Sequence, residues 1–199
     1  NDLITLLSPS STVEEGYLLQ KITRELGSDN VDFRLKNNNN LADLFSDNIA
    51  VKLADLEQAD SFLIFGACPR KSVPLLNHRI RKAVLKGAKV NVINPVGEDW
   101  NYNINLEQIV EPELLLAELK NILNNLNSDS DSDSDSGSDS KSIAENLKNS
   151  KNPVIIIGQL ALSHPDWDKL YQVLLAIKKK VNAGLLAITD GANSLGLYS

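Results

Sequence analysis

Short apolar runs alternate with helix-like segments along this chain, and this alternation constrains the fold more than any other feature. Runs of Val, Ile, Leu and Phe at 61–65, 89–93, 154–157 and 185–188 each end at a glycine, an Asn-Pro pair or a polar turn. The segments between them carry apolar residues three or four positions apart, which is the period of a helix. Parallel strands need such crossover segments. The pattern therefore predicts an α/β fold, an open, doubly wound, mainly parallel sheet with helices on both faces.

The first 30 residues contain a strand signal followed by a helix with clear ends. The apolar residues 3–7 predict a buried strand. Thr12 and Glu15 have the spacing of a capping box, which predicts that a helix begins there. Gly27 marks its end. Leu19, Ile22 and Leu26 recur at helical spacing between these two signals.

Four later segments are also predicted to be helical. One runs from about residue 74 to 85, and two begin at Pro112 and Pro165, because proline suits the first position of a helix. A shorter one carries Ile143 and Leu147.

A tract of alternating serine and aspartate divides the chain. Residues 128–140 hold no apolar side chain, so they predict a solvated, extended linker. Asp131, Asp133 and Asp135 have the spacing of a calcium-binding loop, but Gly137 falls one position too late and Ser142 replaces the bidentate glutamate. We therefore expect an α/β segment at 1–127, the linker at 128–140, and at 141–199 a βαβ continuation of the same sheet or domain.

Composition excludes several classes of protein. A single cysteine and two histidines cannot build a disulfide framework, an iron–sulfur cluster or a cysteine-rich zinc site. The net charge is −6, and without the five aspartates of the tract it is −1, so no nucleic-acid footprint is indicated. No apolar run is long enough to span a membrane. The sequence lacks methionine and opens on a strand-like run, so we expect a segment of a longer protein.

Candidate ligand contacts are the residues directly after the strands, because open parallel sheets bind ligands at the carboxyl ends of their strands. They are Gly66, Ala67, Cys68, Pro69, Asn94, Pro95, Asp190 and Asn193. The turn at 66–70 could hold a phosphate on its backbone amides, or it could be only a tight turn that needs glycine. It matches neither a P-loop nor a Rossmann fingerprint. We predict that Cys68 is a small, semi-buried thiol.

The remaining polar and aromatic residues do not form a catalytic set. Arg79, Lys82 and Lys86 share one helix face, which is either a solvated surface or a contact for an acidic partner. His164 is expected to pack in a loop at a helix entrance. Trp100 and Trp167 are expected to anchor the core or an interface.

Several stretches, taken together and in order, form a recognisable set. They are Leu7-Ser8-Pro9-Ser10, the residues 14–21, 26–32, 59–60 and 62–69, Pro74 with 77–82, the residues 87–90, Ile93-Asn94-Pro95, and the residues 152–158 and 189–194. In this order they resemble the molybdopterin oxidoreductase superfamily, most of all its branch formed by the large peripheral-arm subunit of respiratory complex I.

The resemblance implies a scaffold segment of NADH–quinone oxidoreductase that supports electron transfer without a redox centre of its own. Iron–sulfur clusters are then expected elsewhere in the full subunit, and no cofactor in this segment. The implied partners are other peripheral-arm subunits, with neither nucleic acid nor membrane insertion. The implied location is the cytoplasmic side of a bacterial inner membrane, or the matrix side in mitochondria. The alternatives are a segment that binds molybdopterin guanine dinucleotide and a free-standing nucleotide-binding module.

Two departures from the molybdenum-containing relatives weaken the cofactor alternative. Those relatives commonly carry Gly-x-Asn-Pro after the strand, where Cys68 stands in the asparagine position. They often carry Asp-Pro-Arg after the next strand, where this chain has Asn94, Pro95 and Val96. A neutral Asn94 cannot make the charge-assisted bonds of an aspartate, and Val96 cannot pair with a phosphate. The eight candidate residues are therefore predicted to form a vestigial site.

Overall fold

The computed structural model describes residues 3–34, 51–128 and 138–198. Backbone contacts divide the chain into two units. We call residues 1–48 with 189–199 the terminal unit, and residues 49–188 the central unit. The three-part division predicted on either side of the linker stays a prediction.

In the terminal unit, two short parallel strands lie beside one helix. Strand β1 (Thr5–Leu6) pairs with β2 (Val31–Asp32), and helix α1 (Val13–Glu25) lies between them in sequence. The capping box is confirmed, because the Glu15 amide donates to Thr12 Oγ1 at 3.2 Å and the Thr12 amide donates to the Glu15 carboxylate at 2.9 Å. The helix ends before Gly27, which has φ +83°.

The prediction of a buried strand at residues 3–7 is wrong. Only Thr5 and Leu6 pair with β2, and Ile4 and Leu6 are 72% and 55% exposed. The Thr5 hydroxyl bonds to the Thr23 hydroxyl of α1, and Leu7 is buried. Because alternate residues of a strand point to opposite faces, α1 covers only the face that holds Thr5 and Leu7.

A five-stranded parallel sheet forms the centre of the central unit. Its strands are β3 (Ser61–Phe65), β4 (Lys89–Asn94), β5 (Leu106–Ile109), β6 (Pro153–Ile157) and β7 (Gly184–Ala187). Their spatial order is β5-β4-β3-β6-β7, and every neighbouring pair is parallel. The predicted fold class is confirmed. The chain proceeds outward from β3 to β5 and then returns to the other side of β3, so the order reverses between β3 and β6, the topological switch point.

Helices lie on both faces of this sheet. They are α2 (Pro69–Ser72), α3 (Pro74–Leu85), α4 (Leu115–Asn127), α5 (Ser138–Lys148), α6 (Gln159–Leu162) and α7 (Trp167–Val181). The last helix of the described chain, α8 (Ser194–Tyr198), belongs to the terminal unit. On one face, Leu76 and Ile80 of α3 share a core with Phe62 and Ile64 of β3. Helices α4, α5 and α7 pack together, and α5 also contacts β3.

Three predicted boundaries need correction. The helix expected from Pro112 starts as a 3-10 turn (Pro112–Leu114), and the one expected from Pro165 starts at Trp167. The predicted linker extends too far, because 138–140 already belong to α5. Ser140 is buried there and donates to the Glu118 carboxylate at 2.6 Å, which fixes the helix start. The three aspartates considered for calcium lie outside the described residues.

No helix within the described ranges combines the length and the apolar character that crossing a membrane requires.

Candidate functional site

The turns after β3 and β6 lie against each other at the topological switch point. Gly66 has φ +62°, and a methyl group on it would lie 2.6 Å from the Ala161 amide nitrogen of α6. A methyl group on Gly158 would overlap the Gly66 carbonyl oxygen and the Ala67 side chain. Since both positions need glycine for this close approach, the chain's own backbone occupies the space between the two turns.

Several backbone amides at this edge are already bonded within the chain, and two helices here begin with proline. The Leu160 amide, in the first turn of α6, donates to the Gly66 carbonyl at 3.1 Å. Helices α2 and α3 begin with Pro69 and Pro74, and proline has no N–H. Free N–H groups at a helix start are what bind phosphates in nucleotide-binding folds. The bonded Leu160 amide and the two prolines therefore reduce the number of donors that this edge offers a phosphate.

Asn94 joins the turn after β3 to the end of β4. Its side-chain oxygen accepts from the Ala67 amide at 3.0 Å, and its side-chain nitrogen donates to the Ala67 carbonyl at 3.0 Å. The Asn94 side chain is completely buried. Both polar groups of the side chain are used, so the side-chain amide acts as a clamp between the turn after β3 and the end of β4. An aspartate could not supply the donor unless it were protonated.

Cys68 is semi-buried, as predicted, and lies in a small polar cluster with Lys71 and Glu98. Lys71 Nζ forms an ion pair with Glu98 at 2.6 Å, and the Glu98 carboxylate lies near the Cys68 thiol. Burial, and then the Glu98 carboxylate, raise the pKa of the Cys68 thiol above its usual range. The Lys71 ammonium lowers the pKa of Glu98. A thiol with a raised pKa is a poor nucleophile at neutral pH.

Two aromatic residues pack beside this cluster. The Trp100 and Tyr102 rings have centroids 5.9 Å apart, and the Trp100 indole donates to Glu107 at 2.9 Å. The Tyr102 hydroxyl is buried and has no hydrogen-bond partner among the described residues. Burial raises the pKa of Tyr102. Glu98 and Tyr102 were not singled out from sequence. Glu98 is nevertheless the first acidic residue after a stretch, 61–97, that has none.

Asp190 and Asn193 belong to the terminal unit, whereas Gly66 to Pro69, Asn94 and Pro95 belong to the central unit. The Asn193 side-chain nitrogen donates to the Ser11 carbonyl at 2.6 Å, and the Asn193 backbone amide donates to the Pro9 carbonyl at 3.1 Å. Asn193 thus stabilises the turn after β1. Cofactor binding by the eight candidate residues stays a prediction.

The basic face of α3 converges on one carboxylate. Arg79, Lys82 and Lys86 all pair with Glu57 of the 3-10 turn Asp55–Gln58. Arg79 contributes most to lowering the pKa of Glu57. These three basic residues therefore bind a carboxylate within the chain itself.

His164 packs in its loop, as predicted. Its ring contacts the Pro112 carbonyl at 3.0 Å through Nε2 and accepts from the Asp166 amide through Nδ1. Trp167 is buried and stacks on Tyr171, in agreement with a role as a core anchor.

The terminal unit contains an open cavity of about 510 Å³ between α1, β2 and α8. Its charged lining residues are Asp32 and Arg34, which bond to each other at 2.9 Å. Arg34 and the local amides lower the pKa of Asp32 to about 2. Within the described ranges, no group of three His, Cys, Asp or Glu side chains is placed to hold a metal ion.

Sequence comparison with known proteins identifies relatives with related descriptions. The chain is 28% identical over 183 residues to the mitochondrial NADH dehydrogenase (ubiquinone) iron-sulfur protein 1 of Solanum tuberosum, covering 91% of this chain and 22% of that protein. It is 27% identical over 177 residues to an NADH-quinone oxidoreductase subunit of Rickettsia bellii, covering 86% and 23%. The chain thus spans about a fifth of the length of these relatives.

A solved structure and a family model extend the comparison. One chain in the crystal structure of the formyltransferase/hydrolase complex of Methylorubrum extorquens with methylofuran has a similar fold, with a TM-score of 0.67 at 13% identity over 94% of this chain and 54% of that one. The molybdopterin oxidoreductase family model matches residues 2–194. The resemblance drawn from the sequence is confirmed, and this protein belongs to the molybdopterin oxidoreductase family.

Proposed function

We propose that this chain is a non-catalytic structural segment of the large peripheral-arm subunit of complex I. It would support electron transfer from NADH to quinone by holding the peripheral arm together, without a redox centre of its own. The observation that carries this proposal is the Asn94 clamp. In molybdenum-containing relatives a side chain at this position would contact a nucleotide. Here the Asn94 side chain bonds to the Ala67 backbone instead.

The surrounding geometry supports the same role. A dinucleotide at the switch point would need space and donors between the turns after β3 and β6. That space is taken by the approach of Gly158 to Gly66, and the Leu160 amide is bonded to Gly66. Opening this arrangement for a ligand would break packing in the centre of the sheet. The free energy of ligand binding would have to offset that loss.

The relatives support the choice of complex. The relative from Rickettsia bellii is named as an NADH-quinone oxidoreductase subunit, and the one from Solanum tuberosum as NADH dehydrogenase (ubiquinone) iron-sulfur protein 1. By this similarity, the partners are other subunits of the peripheral arm. The location is the cytoplasmic side of a bacterial inner membrane or, in a eukaryote, the matrix side in mitochondria. The iron–sulfur clusters would lie in other parts of the full subunit.

A titration with nucleotides tests the absence of a ligand site. Both tryptophans, Trp100 and Trp167, lie in the central unit, so their fluorescence reports its unfolding. A ligand at 100 times its Kd adds about 2.7 kcal/mol, which raises the midpoint of a domain of this size by roughly 5–10 °C. We expect no shift with millimolar GMP, GDP, FMN or NADH. A shift with the guanine nucleotides alone would instead support the segment that binds molybdopterin guanine dinucleotide.

Turnover by the assembled complex tests the scaffold role directly. Complex I would be purified with Cys68→Ser or Asn94→Asp in this segment. We expect Cys68→Ser to leave NADH–quinone turnover per assembled complex unchanged. Asn94→Asp should reduce the amount of assembled complex but not its turnover. A fall in turnover per complex with Cys68→Ser would show that the segment takes part in the reaction.

A further inference from the structure

Helix α3 carries an outward-facing row of residues with the spacing of a coiled-coil seam. Successive members are three, four and three positions apart, as the a and d residues of a heptad are. We call this row the outer strip, and its members are Leu75, His78, Lys82 and Leu85. Leu75 and Leu85 are 75% and 78% exposed, more than any other large apolar side chain among the described residues. The core of the central unit holds a different side of α3, through Leu76 and Ile80.

Basic residues flank the outer strip on both sides. They stand at the e and g positions of the same heptad, and they are Arg79, Arg81 and Lys86. In a coiled coil, the e and g side chains pair with charges on the facing helix. The aliphatic stems of arginine and lysine also extend the apolar surface beside the two leucines. The pattern is therefore that of one half of a helix–helix interface whose other half has acidic edges.

The chain balances only part of the charge on this face. Glu57 pairs with three of the four cations, and the fourth, Arg81, forms no ion pair with the described residues. Four cations and one carboxylate leave a charge of +3, although the whole chain has a net charge of −6. Like charges three and four positions apart on a helix repel each other. The arrangement is therefore unfavourable for α3 alone, and an acidic surface against it would make it favourable.

We infer that the outer strip is a docking surface for an amphipathic helix of a partner protein, apolar along its centre and acidic along both edges. The strip occupies about three turns of α3, so the matching part of the partner helix is roughly 15 Å long. The inference rests on the proposed function only in placing this partner among the subunits of complex I.

An anionic membrane fits the outer strip less well. A helix that lies on a membrane buries a broad apolar face in the acyl boundary. On α3, His78 and Lys82 stand between the two leucines, where such a face needs apolar residues. A single lysine at an a position is compatible with a coiled coil, in which it fixes the register of the two helices. A helix is therefore the better occupant.

Photo-crosslinking in cells tests the docking surface. Leu85 is replaced by p-benzoylphenylalanine in the complete subunit that contains this chain, and mass spectrometry identifies the peptide joined to it. We expect an adduct with a peptide that has apolar residues at heptad spacing and Asp or Glu beside them. Arg81→Glu combined with Lys86→Glu should lower the yield of this adduct about tenfold, because exposed ion pairs become repulsions.

A second pair of lysines provides the matched control. Lys179 and Lys180 are exposed on α7, and Lys179→Glu combined with Lys180→Glu changes the net charge by the same amount. We expect this control variant to give the parent's yield. The variant of α3 keeps the ion pair between Arg79 and Glu57. Urea denaturation with tryptophan fluorescence checks that both variants fold, and the milder change of Arg81 and Lys86 to glutamine should give a smaller loss of yield.

Several results would overturn the inference. They are an adduct with lipid alone, an adduct within residues 1–199 of the same chain, a protein adduct without acidic residues, and an equal loss of yield in the α7 control. The identity of the adduct separates this outcome from the proposed function. An acidic helix from a protein outside complex I would support the docking surface and count against the proposed function. A subunit that assembles into complex I without a protein adduct at position 85 would refute only the docking surface.

Discussion

Replacing Asn94 with aspartate changes one donor into an acceptor at a fully buried site. In Asn94→Asp, the Ala67 amide keeps its acceptor, but the Ala67 carbonyl loses its donor and faces a carboxylate oxygen. A buried group left without a partner costs about 1–3 kcal/mol. An unpaired buried charge raises the cost to about 3–5 kcal/mol. We expect the free energy of unfolding at pH 7 to fall by about 3–5 kcal/mol, measured by urea denaturation with tryptophan fluorescence.

The pH dependence separates this mechanism from a general packing defect. Burial raises the pKa of the introduced carboxyl above its value in the unfolded chain, about 3.9. A group whose folded pKa is raised contributes stability below its unfolded pKa and loses it as pH increases. The protonated carboxyl can also donate to the Ala67 carbonyl. The deficit of Asn94→Asp should therefore be largest at neutral pH and should shrink toward pH 4.

Asn91 provides a matched control. It is also fully buried, and its side-chain oxygen accepts from Asn105 at 2.9 Å and from Asn146 at 3.4 Å. Its side-chain nitrogen has no partner among the described residues. Asn91→Asp thus removes no donor in use, and we expect a loss at least about 1 kcal/mol smaller. Equal losses for the two variants, or a deficit for Asn94→Asp that does not change with pH, would refute the clamp.

Three further outcomes are expected. Gly158→Ala should cost about 3 kcal/mol or more in urea denaturation, because its methyl group overlaps the backbone of Gly66; a variant with the parent's midpoint would contradict the close approach. Burial raises the pKa of Asp60, but hydrogen bonds from the segment 150–152 outweigh it and hold the pKa below its usual range. The stability that these hydrogen bonds provide is present above about pH 3.9 and is lost as pH falls through the lowered pKa of Asp60. Asp60→Asn should therefore lower the free energy of unfolding by about 1–3 kcal/mol at pH 7. The same difference between variant and parent at pH 3 would contradict this. Cys68 should react slowly with iodoacetamide at pH 7, and Glu98→Gln should accelerate it, whereas an unchanged rate would argue against an effect of the Glu98 carboxylate on the thiol.

The elements that sequence located well are those with a strong local signal. Strand β3 and helix α3 lie where their apolar runs and Pro74 place them. The capping box of α1 also formed as its spacing predicts. The errors concern elements whose state depends on distant neighbours. Residues 3–7 resemble a buried strand because they are apolar, yet burial requires a second layer that this unit does not supply from its described residues.

The candidate site shows the same division. Gly66, Cys68 and Asn94 are candidates from sequence because they follow strands. Sequence could not show that Asn94 would bond to Ala67, 27 residues away, in place of a ligand. No sequence motif marks Glu98 as a site residue, because it lies in a loop whose position depends on β4 and β5. Its pairing with Lys71 needed the folded loop.

By itself, the sequence determined the α/β class, the parallel sheet and the family, because hydrophobic periodicity, caps and motif order are properties of the chain read in order. The tertiary structure decided the strand order, the contact of Gly158 with Gly66 and the use of the Asn94 amide. It also decided that Ile4 and Leu6 of the first apolar run are exposed. The physical reason is that burial, hydrogen-bond pairing and close backbone approach depend on which distant residues meet in space.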